Sequence, residues 1–513
     1  MLAKIISIIS SLTLLSRFLG YLRDLLIAKV LGAGLISDCF FIAFKIPNLF
    51  RRLFAEGSMN AAFIPVVSGI RKNYGKESAD IFFSKIFSLL LVVLFFFLII
   101  IEIFTPIVIS IIAPGFIENK FKYSLTIDYS RLTFPFLIFI CLTSLIGAYL
   151  NTLGKFASMA ITPIILNLTL IFTLIILFRN GDQVFISYYL SLSISIAGII
   201  QLIWMIINLK KSNVNFQFTL VNKKPIKLHE NKFYKLLAPA IIGNGVYQLN
   251  LLIDMILAST LPDGSISYLY YADRVNQLPL GVLGIAISTA LLPVLSKYVK
   301  MKDKKKSTQT LSNALHFGLI FSIPSFIGIF ILSNQIIMFL FFRGEFTLSD
   351  VELTSYALIA LSLGLPAFIM IKILVVPFFA MEDTKTPLKI SLFSIAINLT
   401  LNLILIDKYQ HVGLAISTSF AAWVNALTLF VVLKGKQVKF ERILLSTLFK
   451  VIIASLIMGI AINFMLNSFG KDIINLNFFE ITNVNLILII FCAILIYFSC
   501  LFMMGIKNFN LRK

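Results

Sequence analysis

The sequence predicts an all-α integral membrane protein with about fourteen transmembrane helices, and three observations carry that prediction. Of its 513 residues, 59% are hydrophobic and 13% charged, with a mean hydropathy of +0.97. A water-soluble core cannot enclose so much apolar side chain, so a bilayer is the solvent for most of the chain. Stretches such as residues 86–101 and 486–502 run without a charge. A span needs ~20 mainly apolar residues to cross ~30 Å of hydrocarbon, and lipid forces such runs into helices because it cannot satisfy open backbone. Finally, the basic residues collect in alternate loops.

Apolar runs between polar breaks place the first seven spans near 4–31, 36–69, 81–112, 128–150, 158–178, 184–208 and 234–260. The other seven fall near 266–298, 311–333, 351–380, 388–406, 412–433, 443–466 and 484–506. Arg17, Arg23 and Asp24 interrupt the first run and no small-residue cleavage site follows, so the first helix reads as retained rather than as a secretory signal. With the N-terminus in the cytoplasm, the inner loops and tail carry 27 Lys and Arg and the outer loops seven. Because positive loops stay inside, that asymmetry predicts N-in and C-in topology in a bacterial cytoplasmic membrane. The net charge of +21 is therefore an orientation signal, and no aromatic platform accompanies it that would suit nucleic acid. Cys39, Cys141, Cys492 and Cys500 sit in apolar stretches without metal-like spacing and read as reduced, small buried residues.

Transporter folds are commonly duplicated, and three landmarks recur in near-constant register. Asn167-Leu-Thr-Leu returns as Asn398-Leu-Thr-Leu and Pro135 as Pro366, each 231 residues on, while Ala62-Phe-Ile-Pro65 resembles Ala290-Leu-Leu-Pro293 at 228. An offset spanning six helices gives two six-helix lobes in parallel pseudo-repeat. The expected organisation is an N-terminal lobe over 1–209, a basic cytoplasmic linker over 210–233, a C-terminal lobe over 234–435 and two additional helices over 436–513.

Ionisable groups inside spans are costly and by default face a bundle interior or a wet cavity. Here they concentrate in three helices. The first carries Arg17, Arg23, Asp24 and Lys29 around Gly20, the second Asp38, Lys45, Arg51, Arg52 and Glu56, and the eighth Asp273 and Arg274. At ~100° per residue, Asp38, Lys45, Arg52 and Glu56 fall within ~40° of one line, a polar stripe that Pro47 blurs by bending the helix. Arg17 and Asp24 share a face of the first helix while Arg23 points elsewhere, although a bend at Gly20 would bring them together. Basic groups outnumber acidic ones and arginine outnumbers lysine, which suits a diphosphate held in bidentate fashion. The alternative is internal pairing, Arg17 with Asp24 or Arg52 with Glu56, that merely pins helices together. Asp254, Asn398, Asn402 and Thr418 supply hard oxygen ligands on spans nearly free of charge, for a small cation or as interhelical glue. Lys372 reads as ambiguous, with snorkelling as its bland explanation. There is no Walker A sequence, His229, His316 and His411 lie far apart, and no nucleophile sits with a base, so a transporter is expected rather than an enzyme.

The segment Ser16-Arg17-Phe-Leu-Gly20-Tyr-Leu-Arg23-Asp24, then Gly32-Ala-Gly34, Asp38 and Phe44-Lys45-Ile-Pro47-Asn48-Leu-Phe-Arg51-Arg52-Leu-Phe-Ala-Glu56-Gly57, strongly resembles the MviN/MurJ family of lipid II flippases in the MOP exporter superfamily. So does Tyr271-Ala-Asp273-Arg274 followed by Gln277-Leu-Pro279-Leu-Gly281. The resemblance implies a V-shaped two-lobe fold whose central cavity alternates between the two sides of the membrane. Its cargo would be lipid II, the undecaprenyl-diphosphate-linked disaccharide-peptide precursor of peptidoglycan, with membrane lipids and cell-wall synthesis proteins as neighbours and a monomer as the unit. It further implies that Arg17, Arg23, Arg52 and Arg274, with Asp24 and Asp38, line the cavity, that the last two helices form a groove for the lipid tail, and that Asp254, Asn398, Asn402, Thr418 and the backbone of Leu414 hold Na+ as coupling ion. Asn402 departs from members that carry Asp there, and Gln277 replaces an acid found in some relatives. Two rivals remain at this stage: a multidrug exporter of the related class and a non-transporting cell-wall scaffold.

Overall fold

A computed structural model describes residues 2–178, 181–219, 224–436, 438, 443–469 and 480–506, and every described element is helical. In order these are α1 (Leu2–Leu31), α2 (Leu35–Phe50), a π-helical turn (Arg51–Ser58), α3 (Met59–Ile103), α4 (Thr105–Ile112), a 3-10 turn (Pro114–Glu118), α5 (Lys120–Thr133), α6 (Phe136–Thr152), α7 (Ala157–Ala160), α8 (Thr162–Leu177) and α9 (Gln183–Lys210). Then follow α10 (Lys224–Ser259), α11 (Ser265–Pro279), a second π-helical turn (Leu280–Gly284), α12 (Ile285–Lys300), α13 (Lys304–Phe341), α14 (Leu348–Ser362), α15 (Leu365–Ala380), α16 (Lys385–Gly435), α17 (Ile443–Phe469) and α18 (Glu480–Met503). Among the described residues, eight helical runs are long and apolar enough to span a membrane, and the bent pair α14–α15 makes a ninth. That count does not establish fourteen spans. Part of the difference is local: α16, broken at Gln410 (φ +48°), holds two of the expected helices on one continuous run, and α3, broken at Gly75 (φ +83°), joins the end of the second expected helix to the third.

Two compact units emerge, one of residues 1–267 with 343–346 and one of 268–342 with 347–513. α10 packs with the first unit, against α3, and it begins ten residues before the span expected at 234. In the second unit α13, α17 and α18 share a core of Leu319, Ile320, Val451, Met458, Leu486 and Tyr497, whose hydroxyl donates to the Ile320 carbonyl at 2.5 Å.

The duplication read from the sequence has a physical counterpart in helix defects. Pro135 sits at the break between α5 and α6, and Pro366 lies at the start of α15 beside the 40° bend from α14. The π-helical turns also recur, beginning at Arg51 and at Leu280, each followed by a helix with an internal proline, Pro65 or Pro293. Each proline removes a backbone donor and crowds the preceding turn, which fixes where an apolar helix bends.

Within the first unit, Gly32 (φ +61°) and Gly344 (φ +60°) interlock the end of α1 with the 343–346 turn. A Cβ on Gly32 would sit 2.4 Å from the Glu345 carbonyl oxygen, and one on Gly344 would sit 2.1 Å from that of Lys29. The Glu345 amide donates to the Lys29 carbonyl at 3.0 Å. The left-handed backbone alone costs an L-residue roughly 1–2 kcal/mol, so Gly344→Ala is expected to lower the melting temperature measurably, while Gly69→Ala, where a Cβ meets open space, is expected to leave it nearly unchanged.

In the turn after α15, Asp383 accepts from Lys436 Nζ at 2.5 Å and from Thr386. The Lys436 ammonium, followed by the Thr386 hydroxyl and amide, holds this carboxyl well below its ordinary value. A depressed carboxyl contributes stability above its unfolded pKa of about 3.9 and loses it as pH falls through the folded value. The pair is therefore expected to leave the melting temperature flat between pH 8 and 5, with the wild-type and Lys436→Met curves converging only in more acidic buffer.

Candidate substrate-binding site

The charged residues singled out in the sequence fall into separate clusters. On α1, Arg23 turns back on its neighbour. Its Nη2 and Nε meet Asp24 Oδ1 at 2.6 and 3.0 Å, its Nη1 donates to Asn167 Oδ1 at 2.9 Å, and its guanidinium lies 5.4 Å from the Phe44 ring centre. Both partners are buried, at 4% and 1% exposure. Arg23 and Asp24 thus meet without a break in α1 at Gly20: residues one apart diverge at the backbone, but a long guanidinium stem spans the gap. Asn167 on α8 completes the bracket by donating from Nδ2 to the Ser16 carbonyl at 2.9 Å. Gly20 gives it room, since a Cβ there would sit 3.3 Å from that amide nitrogen.

Asp38 has other partners. At 1% exposure it accepts from the Gly264 amide at 2.8 Å, the Ser267 amide at 2.9 Å and the Ser267 hydroxyl at 2.7 Å, capping the start of α11 from α2. Lys122 Nζ lies 3.6 Å from Asp38 and 2.7 Å from Asp263, and 3.9 Å from the centre of the Phe116 ring. Lys122 counts only as an outer-loop charge in the sequence, yet it is 4% exposed and is the buried counter-ion of Asp38.

The expected line through Asp38, Lys45, Arg52 and Glu56 does not continue past Phe50. From Arg51 the chain is π-helical, with i→i+5 bonding that winds wider than an α-helix and shifts every later side chain. Pro47 lies inside α2, four residues before this turn, and lacks the donor for the Ala43 carbonyl, which accepts from the Thr133 hydroxyl at 2.9 Å instead. Arg51 Nε donates to Asn48 Oδ1 at 3.2 Å, Arg52 is exposed and Lys45 half-buried. The side chain of Glu56 lies outside the described residues. Arg17 is exposed on α1.

In the second unit Arg274 donates from Nη2 to the Tyr270 hydroxyl at 2.8 Å with its guanidinium 4.8 Å from that ring centre, and Gln277 donates to Asp273. These are i, i+4 pairs on α11, so Tyr270 and Gln277, to which the sequence reading gave no role, set the rotamers of Arg274 and Asp273. Asn402 Nδ2 donates to Asn398 Oδ1 at 3.0 Å and Asn398 Nδ2 to Thr418 Oγ1 at 3.4 Å, all in the second unit. Asp254, in the first, accepts from Asn250 Nδ2 at 3.2 Å. Amide, hydroxyl and carboxylate oxygens of this kind are hard donors.

Broken and π-wound spans carrying arginines inside a polytopic helical bundle are features of a membrane transporter. An inward-facing multidrug resistance MATE family transporter of the MOP superfamily shares the fold, with a TM-score of 0.68 and 13% identity over 84% of this chain and 97% of that one. The particular family is narrower: the chain belongs to the family described as "Lipid II flippase MurJ", whose sequence profile matches residues 27–484. It is 43% identical over 424 residues to a probable lipid II flippase MurJ of Rickettsia prowazekii (strain Madrid E), covering 82% of this chain and 81% of the relative. The corresponding Haemophilus influenzae protein is 34% identical over 519 residues, 98% of this chain and 99% of the relative. A solved structure of lipid II flippase MurJ in an inward closed conformation matches with a TM-score of 0.82 and 30% identity, over 98% of this chain and 99% of that one.

Proposed function

We propose that this chain flips lipid II from the inner to the outer leaflet of the bacterial cytoplasmic membrane by alternating access, with both termini in the cytoplasm. The observation that carries the reading is the end-to-end likeness, in sequence and in fold, to a solved lipid II flippase. The charges divide accordingly. Arg23 is neutralised in place by Asp24 and orders α1, whereas Arg17 and Arg52 are exposed on spanning segments and Arg274 is held extended on Tyr270. Intramembrane arginines at a surface belong in a wet cavity, where their planar forks engage a diphosphate in bidentate fashion. Anion binding relieves the repulsion among them, the differential interaction a conformational switch requires. The empty, net-positive cavity is reset by the membrane potential, at ~2.3 kcal/mol per charge per 100 mV.

Lobes over 1–209 and 234–435 carry that cycle in this reading, with α17 and α18 as the groove for the isoprenoid tail. Asp254, Asn398, Asn402 and Thr418 would hold Na+ as coupling ion, so Asp254→Asn is expected to abolish any sodium dependence of transport and of thermal stability together. Complementation tests the function. A flippase-depleted bacterium is expected to grow when it expresses this chain and to lyse when it expresses Arg52→Ala at the same level; lysis with the unsubstituted chain would reject the proposal.

A further inference from the structure

After α9 the sequence Asn213-Val-Asn-Phe-Gln-Phe-Thr219 alternates polar and apolar residues, the period of an extended strand in an otherwise helical chain. Residues 214–219 are non-helical and lie along α3. The Asn215 amide donates to Asp80 Oδ2 at 3.0 Å, the Gln217 amide to Ser84 Oγ at 3.3 Å and the Thr219 amide to Ser88 Oγ at 3.1 Å. Lys76 Nζ fastens the near end on the Asn213 carbonyl at 2.6 Å. The two repeats match. Two strand residues advance ~6.6 Å and four helical residues ~6 Å, so every second amide of the strand meets every fourth side chain of the helix. Asp80, Ser84 and Ser88 are all buried, and Tyr149 on α6 donates to the other oxygen of Asp80.

Depth gives this ladder its meaning. Ser88 lies within the charge-free run 86–101 and ~12 Å of helical rise beyond Asp80, so the strand follows α3 into the apolar part of the span. Phe216 packs on Phe87 and Phe83, with ring centres 5.0 and 6.1 Å away, and Phe218 is 59% exposed. Non-helical backbone at that depth persists only where its polar groups are satisfied by protein, which the α3 ladder does for alternate amides.

We infer that residues 214–219 form an extended segment inserted into the bilayer leaflet on the side of the α9–α10 connection, held by the Asp80–Ser84–Ser88 ladder of α3, with Phe218 against lipid acyl chains. The partner is the membrane itself, and the insertion fixes where the chain leading to α10 starts.

The test places an environment-sensitive NBD probe at Phe218→Cys in the full chain, with its four cysteines replaced by serine, in phosphatidylethanolamine/phosphatidylglycerol vesicles. The result expected is strong quenching by nitroxide on the acyl chains and little by aqueous iodide, the reverse of the same probe at Lys302→Cys. Iodide quenching at 218 equal to that at 302 would overturn the inference. Ser84→Ala with Ser88→Ala is expected to make position 218 iodide-accessible; a probe still shielded there would overturn the role given to the ladder.

Discussion

Asp38→Ala is expected to destabilise the protein by roughly 3–5 kcal/mol, because it removes the buried carboxylate that caps α11 and takes away the buried counter-ion of Lys122. Lys122 keeps Asp263, but Asp263 is half exposed and cannot replace a carboxylate at 1% exposure. The Gly264 and Ser267 amides at the start of α11 lose their acceptor in the same step, and each buried donor left unsatisfied adds about 1–3 kcal/mol. Thermal unfolding in detergent reads the effect, and Asp38→Ala combined with Lys122→Met separates its parts. If the pair is the source, the double variant recovers a substantial part of the loss. If the two losses simply add, Asp38 acts without Lys122 and the cap alone carries the effect. Lost transport in Asp38→Ala must be judged against this structural debt.

The second large effect is expected at Arg23. Arg23→Ala strands Asp24 at 1% exposure, again roughly 3–5 kcal/mol, and frees the Asn167 carbonyl that bridges α8 to α1. Arg23→Lys is expected to recover only part of it, since one ammonium cannot reproduce a fork that meets Asp24 through Nε and Nη2 and Asn167 through Nη1. Arg17→Ala and Arg52→Ala, with exposed side chains, are expected to stay within about 0.5 kcal/mol of wild type. A melting curve for Arg23→Ala that overlays those of the two exposed variants would contradict the division between ordering and binding arginines.

The helical membrane class was legible because it rests on composition and on charge-free runs such as 86–101, which no packing detail can overturn. The helix breaks at Pro135 and Pro366 were legible too, since proline imposes them by covalent geometry. Side-chain partners were not. Arg23 bonds Asn167, 144 residues away, and Lys122 faces Asp38 as an ion pair at 3.6 Å across 84 positions of sequence, separations over which periodicity carries no information. The stripe through Arg52 failed because arithmetic at a constant angle per residue assumes an unbroken α-helix, and α2 gives way to π winding at Arg51. Two signals were present and unread: the i, i+4 pairs Tyr270–Arg274 and Asp273–Gln277, and the alternation over 213–219, hidden inside a stretch taken only as a basic linker.

The measurement that tests the central claim most directly is the amount of lipid II exposed on the outer leaflet of a flippase-depleted bacterium that expresses this chain, beside Arg17→Ala, Arg52→Ala and Arg274→Ala at matched levels. The expected result is restored outward lipid II with the unsubstituted chain and basal levels with all three variants, whose melting temperatures for Arg17→Ala and Arg52→Ala match wild type. Outward lipid II that stays basal with the unsubstituted chain, or that is as high with the arginine variants as without them, would contradict it.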